Sequence, residues 1–300
     1  MLSFKPIENS NFGVEVDNLD LRQRLNTETL QQLVEQLHEH RVVIIRDQQL
    51  DQEAYLAFSR RLGRPDIHPL DYAHMPGYPE IETIGNTQPK DREEAVRNGA
   101  AFWHTEHAYE ADPISSLMFY AIKVPRTGGE TWVADMRSAY DDLDDALKGR
   151  IDGLIVKHDY RAARGGDGET QAAPIKTQEQ AARVPPVRHF LAPPHPVTGR
   201  KSLYAVTGFV YGIEGMEDAE ALSLLEKLKV HAIQPRYLFK RTHVVGDIML
   251  LDTLQTLHRG TQLEFTTGEH DARLLWNIAV KGSPETCRHH WRPCEPRPMS

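Results

Sequence analysis

Trp103-His104-Thr105-Glu106-His107-Ala108-Tyr109 puts an imidazole and a carboxylate two residues apart. On an extended strand, residues i and i+2 share one face. His104 and Glu106 then leave a rigid element together and form two-thirds of a mixed nitrogen/oxygen site for a divalent metal. His258, in Leu257-His258-Arg259-Gly260, is the candidate for the third ligand. The chain holds 15 histidines, and a packed, hydrogen-bonded histidine is the commoner use of the residue. The motif therefore gains weight only from what surrounds it.

Outward from that stretch, the pattern alternates between short apolar strands and flanking helices. Val14–Asp20 predicts a strand and turn. Asn26 is placed to cap a helix running to about His40, with Leu30, Leu33, Val34 and Leu37 on one stripe. Arg41–Arg46 is a β-branched buried strand. Asp51 starts a second helix with Tyr55, Phe58 and Leu62 inward and Gly63 as its stop. Ile81–Ile84, Ile114–Val124, Thr131–Asp135, Ser202–Val206, Tyr237–Val244, Ile248–Leu251 and Arg273–Val280 predict strands. Residues 136–149 predict one helix, and Glu217 to about Ala232 another, with Leu222, Leu225 and Leu228 inward. Residues 86–101 form a polar loop upstream of the metal motif, suited to a lid. Residues 159–190 look like a mobile insertion. The fold class is mainly β with flanking helices (α+β), a single sandwich or jelly-roll domain over 1–300.

Bulk composition narrows the function. A formal charge of −8 disfavours nonspecific nucleic-acid binding, which calls for a basic face. No apolar run is long enough for a membrane helix, and the N-terminus lacks the pattern of a signal peptide. Cys287 and Cys294 build no disulfide framework, which suits a cytoplasmic protein. With His289 and His290 they imitate a metal clip, but the spacing matches no zinc pattern, and the stretch reads as a solvated Pro-rich tail. Two imidazoles and one carboxylate suit non-haem Fe(II) oxygenases, and they also suit a catalytic zinc hydrolase.

Four segments then fall in order: WHTE (103–106), GGETWVADM (128–136), LDTLQTLHRG (251–260) and ARLLWN (272–277). With FGVEVDNLDL (12–21), RVVIIRDQQL (41–50) and HPVTGRKSLYAV (195–206), the chain resembles the taurine dioxygenase and 2,4-dichlorophenoxyacetate dioxygenase family from about residue 12 to 282. These are Fe(II)/2-oxoglutarate enzymes with a double-stranded β-helix. The resemblance implies His104, Glu106 and His258 as iron ligands. It implies that the Thr131 hydroxyl bonds one carboxylate of 2-oxoglutarate, and that Arg273 grips the distal carboxylate with its planar fork. On their own, Thr131 reads as a β-branched strand residue and Arg273 as a surface ion pair worth less than about 1 kcal/mol. The implied reaction consumes O2, converts 2-oxoglutarate to succinate and CO2, and oxidises a small-molecule substrate, by default through hydroxylation. A silent binding protein on the same fold is a further alternative. Relatives form dimers or tetramers.

The departures concern the substrate. The metal carboxylate is Glu106 in place of the usual Asp, as in relatives acting on amino-acid derivatives. Leu251-Asp252-Thr253 replaces a common Trp-Asp-Asn. His68 is retained, but a nearby tyrosine becomes Asp71. Ala101-Phe102 replaces two polar residues, and Asn277 stands where taurine dioxygenase has its sulfonate-binding arginine. Taurine and phenoxyacetates are therefore expected to be poor substrates, and a larger, partly apolar molecule carrying an amine or hydroxyl for Asp71 a better one.

Overall fold

The run Val42-Val43-Ile44-Ile45 is buried at every position, which a strand achieves only with both faces covered. In the computed structural model, which describes residues 2–71, 74–87, 100–162, 175–266 and 268–284, this run is strand β3 (Val42–Ile45) of a nine-stranded sheet. Its order is β1 (Phe4–Pro6), β2 (Val14–Val16), β3, β13 (Ile248–Asp252), β7 (Ile114–Lys123), β15 (Leu274–Lys281), β6 (Tyr78–Gly85) and β5 (His74–Met75), with β4 (Arg64–Pro65) also on β15. Only β2 and β3 pair in parallel among these strands.

The two faces of β3 go to different cores. Val43 and Ile45 join Met118, Ile248, Leu250 and Ile278 beneath helices α1 (Thr27–His40) and α2 (Gln52–Leu62). Val42 and Ile44 join Leu117, Phe119, Met249, Leu251 and Leu275, and Val133 and Phe239 close over them from a second sheet. That sheet runs β12 (Leu238–Arg241), β8 (Thr131–Asp135), β14 (Thr256–Gly260). Two sheets facing each other across one apolar layer make a jelly roll.

The outer face of the second sheet is covered in turn. Ala134 and Leu257 pack among residues of α3 (Met136–Asp141), α4 (Asp145–Ile151), α6 (Asp218–Ala232) and a third sheet. The third sheet is β10 (Val187–Phe190), β9 (Ile155–His158), β11 (Val210–Ile213). No described helix is long and apolar enough to cross a membrane.

Capping follows the sequence. Asn26 Oδ1 accepts from Thr29 N at 2.8 Å, and Asp51 Oδ1 from Ala54 N at 2.8 Å. Gly63 ends α2 in extended backbone, so its need for glycine is spatial. A Cβ there would lie 2.4 Å from the Lys281 carbonyl oxygen, where β15 passes.

Other expectations are corrected. The single helix at 136–149 divides into α3 and α4, because Asp144 starts a new cap with Leu147 N at 2.7 Å. Ser202–Val206 is not a strand: Lys201 bridges Pro194, and Ala205 takes φ +48°. In α6 it is Leu224, not Leu222, that joins Leu225 and Leu228 inward. Within 159–190 lie α5 (Gln178–Arg183) and β10, which pairs with β9, so that stretch contributes to the fold; 163–174 are outside the described residues. Of the loop at 86–101, residues 88–99 are outside too, while Asn86 and Ala101 at its ends are buried. Cys287, His289, His290 and Cys294 also lie outside the described residues.

Candidate active site

His104 and His258 form an antiparallel bridge, with His104 N to His258 O at 3.0 Å and His258 N to His104 O at 2.9 Å. Directly opposed residues put their side chains on one face, and the two rings sit 4.3 Å apart. Glu106 does not follow on an extended strand, which corrects the sequence expectation. The chain turns after Thr105: Ala108 N bonds Thr105 O at 3.3 Å, and His107 takes φ +43°. The turn still returns the carboxylate to the rings. Glu106 Oε2 lies 3.3 Å from His258 Nε2 and 3.9 Å from His104 Nε2.

The donor atoms are prepared for a cation. His104 Nδ1 donates to Phe102 O at 2.8 Å, so its Nε2 lone pair faces Glu106. Burial, then the neighbouring His258, lowers the His104 pKa to about 4 and keeps the ring neutral. Burial pushes Glu106 upward, but His107 and His258 outweigh it and hold the carboxylate well below its ordinary range. The two imidazoles and the ionised carboxylate, with donor atoms within 4.8 Å of one another, fit a divalent iron.

His107 escaped the sequence reading, because nothing in its spacing marks it. Its Nε2 is 3.0 Å from Glu106 Oε1, and its Nδ1 is 3.1 Å from Asp66 Oδ2 and 3.4 Å from Glu110 Oε1. Lys281 pairs with both of those acids. Asp66, His107 and Glu110 thus already share a cation, which Lys281 supplies. A third trio, His38, Asp252 and His195, is equally compact. There His195 Nδ1 accepts from Val197 N and Thr198 N at 3.2 and 3.1 Å. Its proton therefore sits on Nε2, 3.1 Å from Asp252 Oδ2.

At the far end of the inner face, Arg273 immediately precedes β15. Asn86 grips its backbone from both sides: Arg273 N bonds Asn86 Oδ1 at 2.8 Å and Asn86 N bonds Arg273 O at 3.2 Å. Gly85 permits that approach, since a Cβ there would meet the Arg273 carbonyl oxygen at 1.9 Å. The Arg273 residue is 4% exposed, and among the described residues no carboxylate lies within ion-pair distance of it. Burial lowers its pKa to about 10, with Glu130 opposing. Its Nη2 reaches Thr131 Oγ1 at 3.5 Å.

A family model described as "Taurine catabolism dioxygenase TauD, TfdA family" matches residues 3–279. The chain belongs to the TauD/TfdA family. It is 31% identical over 267 residues to the alpha-ketoglutarate-dependent 2,4-dichlorophenoxyacetate dioxygenase of Burkholderia sp. strain RASC, covering 85% of this chain and 88% of that one. It is also 31% identical over 265 residues to the (S)-phenoxypropionate/alpha-ketoglutarate-dioxygenase of Sphingobium herbicidovorans, covering 84% and 86%. The crystal structure of AAD-2 in complex with Mn(II) and N-oxalylglycine superposes with TM-score 0.79 at 27% identity, covering 94% of this chain and 97% of that chain. This TauD/TfdA enzyme is an Fe(II)/2-oxoglutarate-dependent dioxygenase that oxidises a small organic substrate as 2-oxoglutarate goes to succinate and CO2. The relatives support neither a zinc hydrolase nor a silent binding protein.

The expected substrate residues part company in the TauD/TfdA fold. Phe102 is buried with Leu70, Tyr109, Tyr160, Val184 and Phe209, its ring 5.0 Å from that of His104. Gly208, at φ +89°, makes room there, because a Cβ would lie 3.1 Å from His104 Cβ. His68 stands beside His107, rings 5.2 Å apart. Burial, then His107, lowers its pKa to about 3, and its Nδ1 accepts from Leu70 N at 3.1 Å. Asp71 faces the other way. Its side chain is 65% exposed and pairs with Arg183 at 2.9 Å, so it does not line the site. Asn277 is buried on the face of β15 that also carries Leu275, and its Nδ2 donates to Glu82 Oε1 at 3.4 Å. Glu82, opposite Asn277 in the β6–β15 pairing, was missed in the sequence. Its place in the strand Tyr78–Gly85, on the same side as Ile84, was the available signal. Burial raises its pKa to about 8, with Glu106 and Asp66 adding to the effect against His107.

Proposed function

We propose that His104, Glu106 and His258 hold the iron, that Arg273 and Thr131 receive the distal carboxylate of 2-oxoglutarate, and that the substrate is a partly apolar molecule. Bound there, the iron supplies the oxidising chemistry with O2 and 2-oxoglutarate. The chain's own residues orient the reactants and exclude water. The carrying observation is the buried Arg273 guanidinium, which has no described carboxylate within ion-pair distance. A buried cation without a counter-ion is costly, and a dicarboxylic acid reaching in from the metal supplies one. Arg273→Ala should raise the KM for 2-oxoglutarate by on the order of a hundredfold. An unchanged KM would assign Arg273 a structural role.

At the substrate end, the ring of Phe102 beside His104 and the aromatic side chains packed with it suit an apolar body. The 2,4-dichlorophenoxyacetate and (S)-phenoxypropionate of the relatives fit that description in their aryl portions. Asn277 and Glu82 offer hydrogen bonds where an anion would need a cation. We therefore favour a neutral or amine-bearing polar group at that end, with Glu82 taking the part first expected of Asp71. A panel of taurine, alkylsulfonates, phenoxyacetates and free or N-substituted amino acids, scored by succinate with coupled product, decides this. Efficient coupled oxidation of taurine would refute it. A cytoplasmic dimer or tetramer completes the proposal, to be checked by light scattering.

A further inference from the structure

The structure assigns His243 a role that the ligand and co-substrate residues leave open. We propose that His243 is a positioning residue that turns the Thr131 hydroxyl toward the distal carboxylate of 2-oxoglutarate. This rests on the placement of that carboxylate at Arg273 and Thr131. His243 follows β12, the strand that pairs with β8, and Arg241 of β12 lies opposite Thr131. The His243 ring is buried, 6% exposed, and its Nε2 lies 2.8 Å from Thr131 Oγ1.

The argument is one of counting protons. Burial, followed by the guanidinium groups of Arg273 and Arg241, keeps the His243 pKa well below its ordinary value. A neutral imidazole carries one N–H and one lone pair. Thr131 Oγ1 has one proton and already faces Arg273 Nη2, a donor, at 3.5 Å. If His243 carries its proton on Nε2, it donates to Thr131 Oγ1. Both oxygen lone pairs are then engaged, and the hydroxyl proton is left to point at an incoming carboxylate. If the proton sits on Nδ1, Nε2 accepts a hydrogen bond from the Thr131 hydroxyl, and the carboxylate meets an oxygen lone pair instead. Only the first tautomer makes Thr131 a donor to 2-oxoglutarate. A bound carboxylate favours it, because hydrogen bonds to an ionised acceptor are the stronger kind.

The test measures 2-oxoglutarate binding to the Mn(II)-loaded full-length protein by calorimetry, beside steady-state kinetics of the Fe(II) enzyme. His243→Phe should weaken binding about tenfold, the size of one lost hydrogen bond to a charged group. The KM for 2-oxoglutarate should follow while kcat stays within about twofold. In a Thr131→Val background the same change should add little, since the hydroxyl it orients is gone. His243→Gln, which offers an amide N–H at similar reach, should restore most of the affinity. Thermal melting checks that each variant is folded, and His243→Leu replaces the Phe variant if that one is not. An unchanged affinity in His243→Phe, an effect as large in the Thr131→Val background as in wild type, or no recovery with Gln would each overturn the proposal. Arg273→Ala is the control. If it leaves 2-oxoglutarate binding intact, the placement of the co-substrate itself fails, separately from the role of His243.

Discussion

Two buried trios in this molecule have the same composition, two histidines and one carboxylate, yet they are prepared for opposite tasks. His104, Glu106 and His258 sit between the sheets. His38, Asp252 and His195 join the end of α1, the end of β13 and the segment after β10. The difference lies in what the remote ring nitrogen does. His104 Nδ1 donates to a backbone carbonyl, so a lone pair faces the carboxylate. His195 Nδ1 accepts from two backbone amides, so an N–H faces it. A metal needs the first arrangement. The second is a hydrogen-bonded strut, reinforced by Gln255 Nε2 donating to Asp252 Oδ2 at 2.8 Å. Residue type alone does not separate a metal site from a clamp, because the backbone partners of His104 and His195 decide which nitrogen of each ring carries the proton.

The largest test of this contrast is removal of a ligand. His104→Ala or His258→Ala should reduce turnover by more than about a hundredfold, beyond the usual loss for residues that merely support a ligand. Bound iron should fall from one per chain, with the melting transition preserved. Near-normal activity in either variant would break the assignment.

Asp252→Ala should do the reverse, sparing metal stoichiometry while destabilising the fold by about 3–5 kcal/mol, the cost of stranding buried polar partners. Its carboxyl also predicts a pH signature. Burial opposes its ionisation, but His195 and His38 outweigh burial and hold its pKa below the ordinary value. The stabilisation is therefore present above the unfolded value, about 4, and is lost as pH falls toward the depressed folded one. Denaturant titrations of the wild type should show stability falling over that acid window, and the Asp252→Ala variant should show a flatter profile there. An equally steep profile in the variant would place the acid sensitivity elsewhere.

The smallest effect is expected from Gln255→Ala. It removes the bonds to Asp252 and to the His38 carbonyl and should cost about 1–3 kcal/mol with unchanged iron content. A change in iron content would show that the two trios are coupled through β14 and the turn before it.

The sequence by itself determined the parts governed by local periodicity and chemistry. The stripe Leu30-Leu33-Val34-Leu37 and the cap at Asn26 set α1, and the β-branched run at Val42–Ile45 set a strand buried on both faces, because side-chain repeat and capping geometry need no distant partner. The order of motifs around His104, Thr131, His258 and Arg273 was enough to indicate the chemistry. Tertiary structure decided the rest. It replaced the expected strand at Glu106 with a turn, since the pairing of that segment with β14 ends at the His104–His258 bridge. It sent Asp71 outward to Arg183 and brought Glu82 to Asn277. It set His107 beside the Glu106 carboxylate and His243 beside Thr131. These pairings join residues far apart in the chain or, for His107, depend on a left-handed turn. A buried side chain's protonation and direction are fixed by what packs against it, which no local pattern encodes.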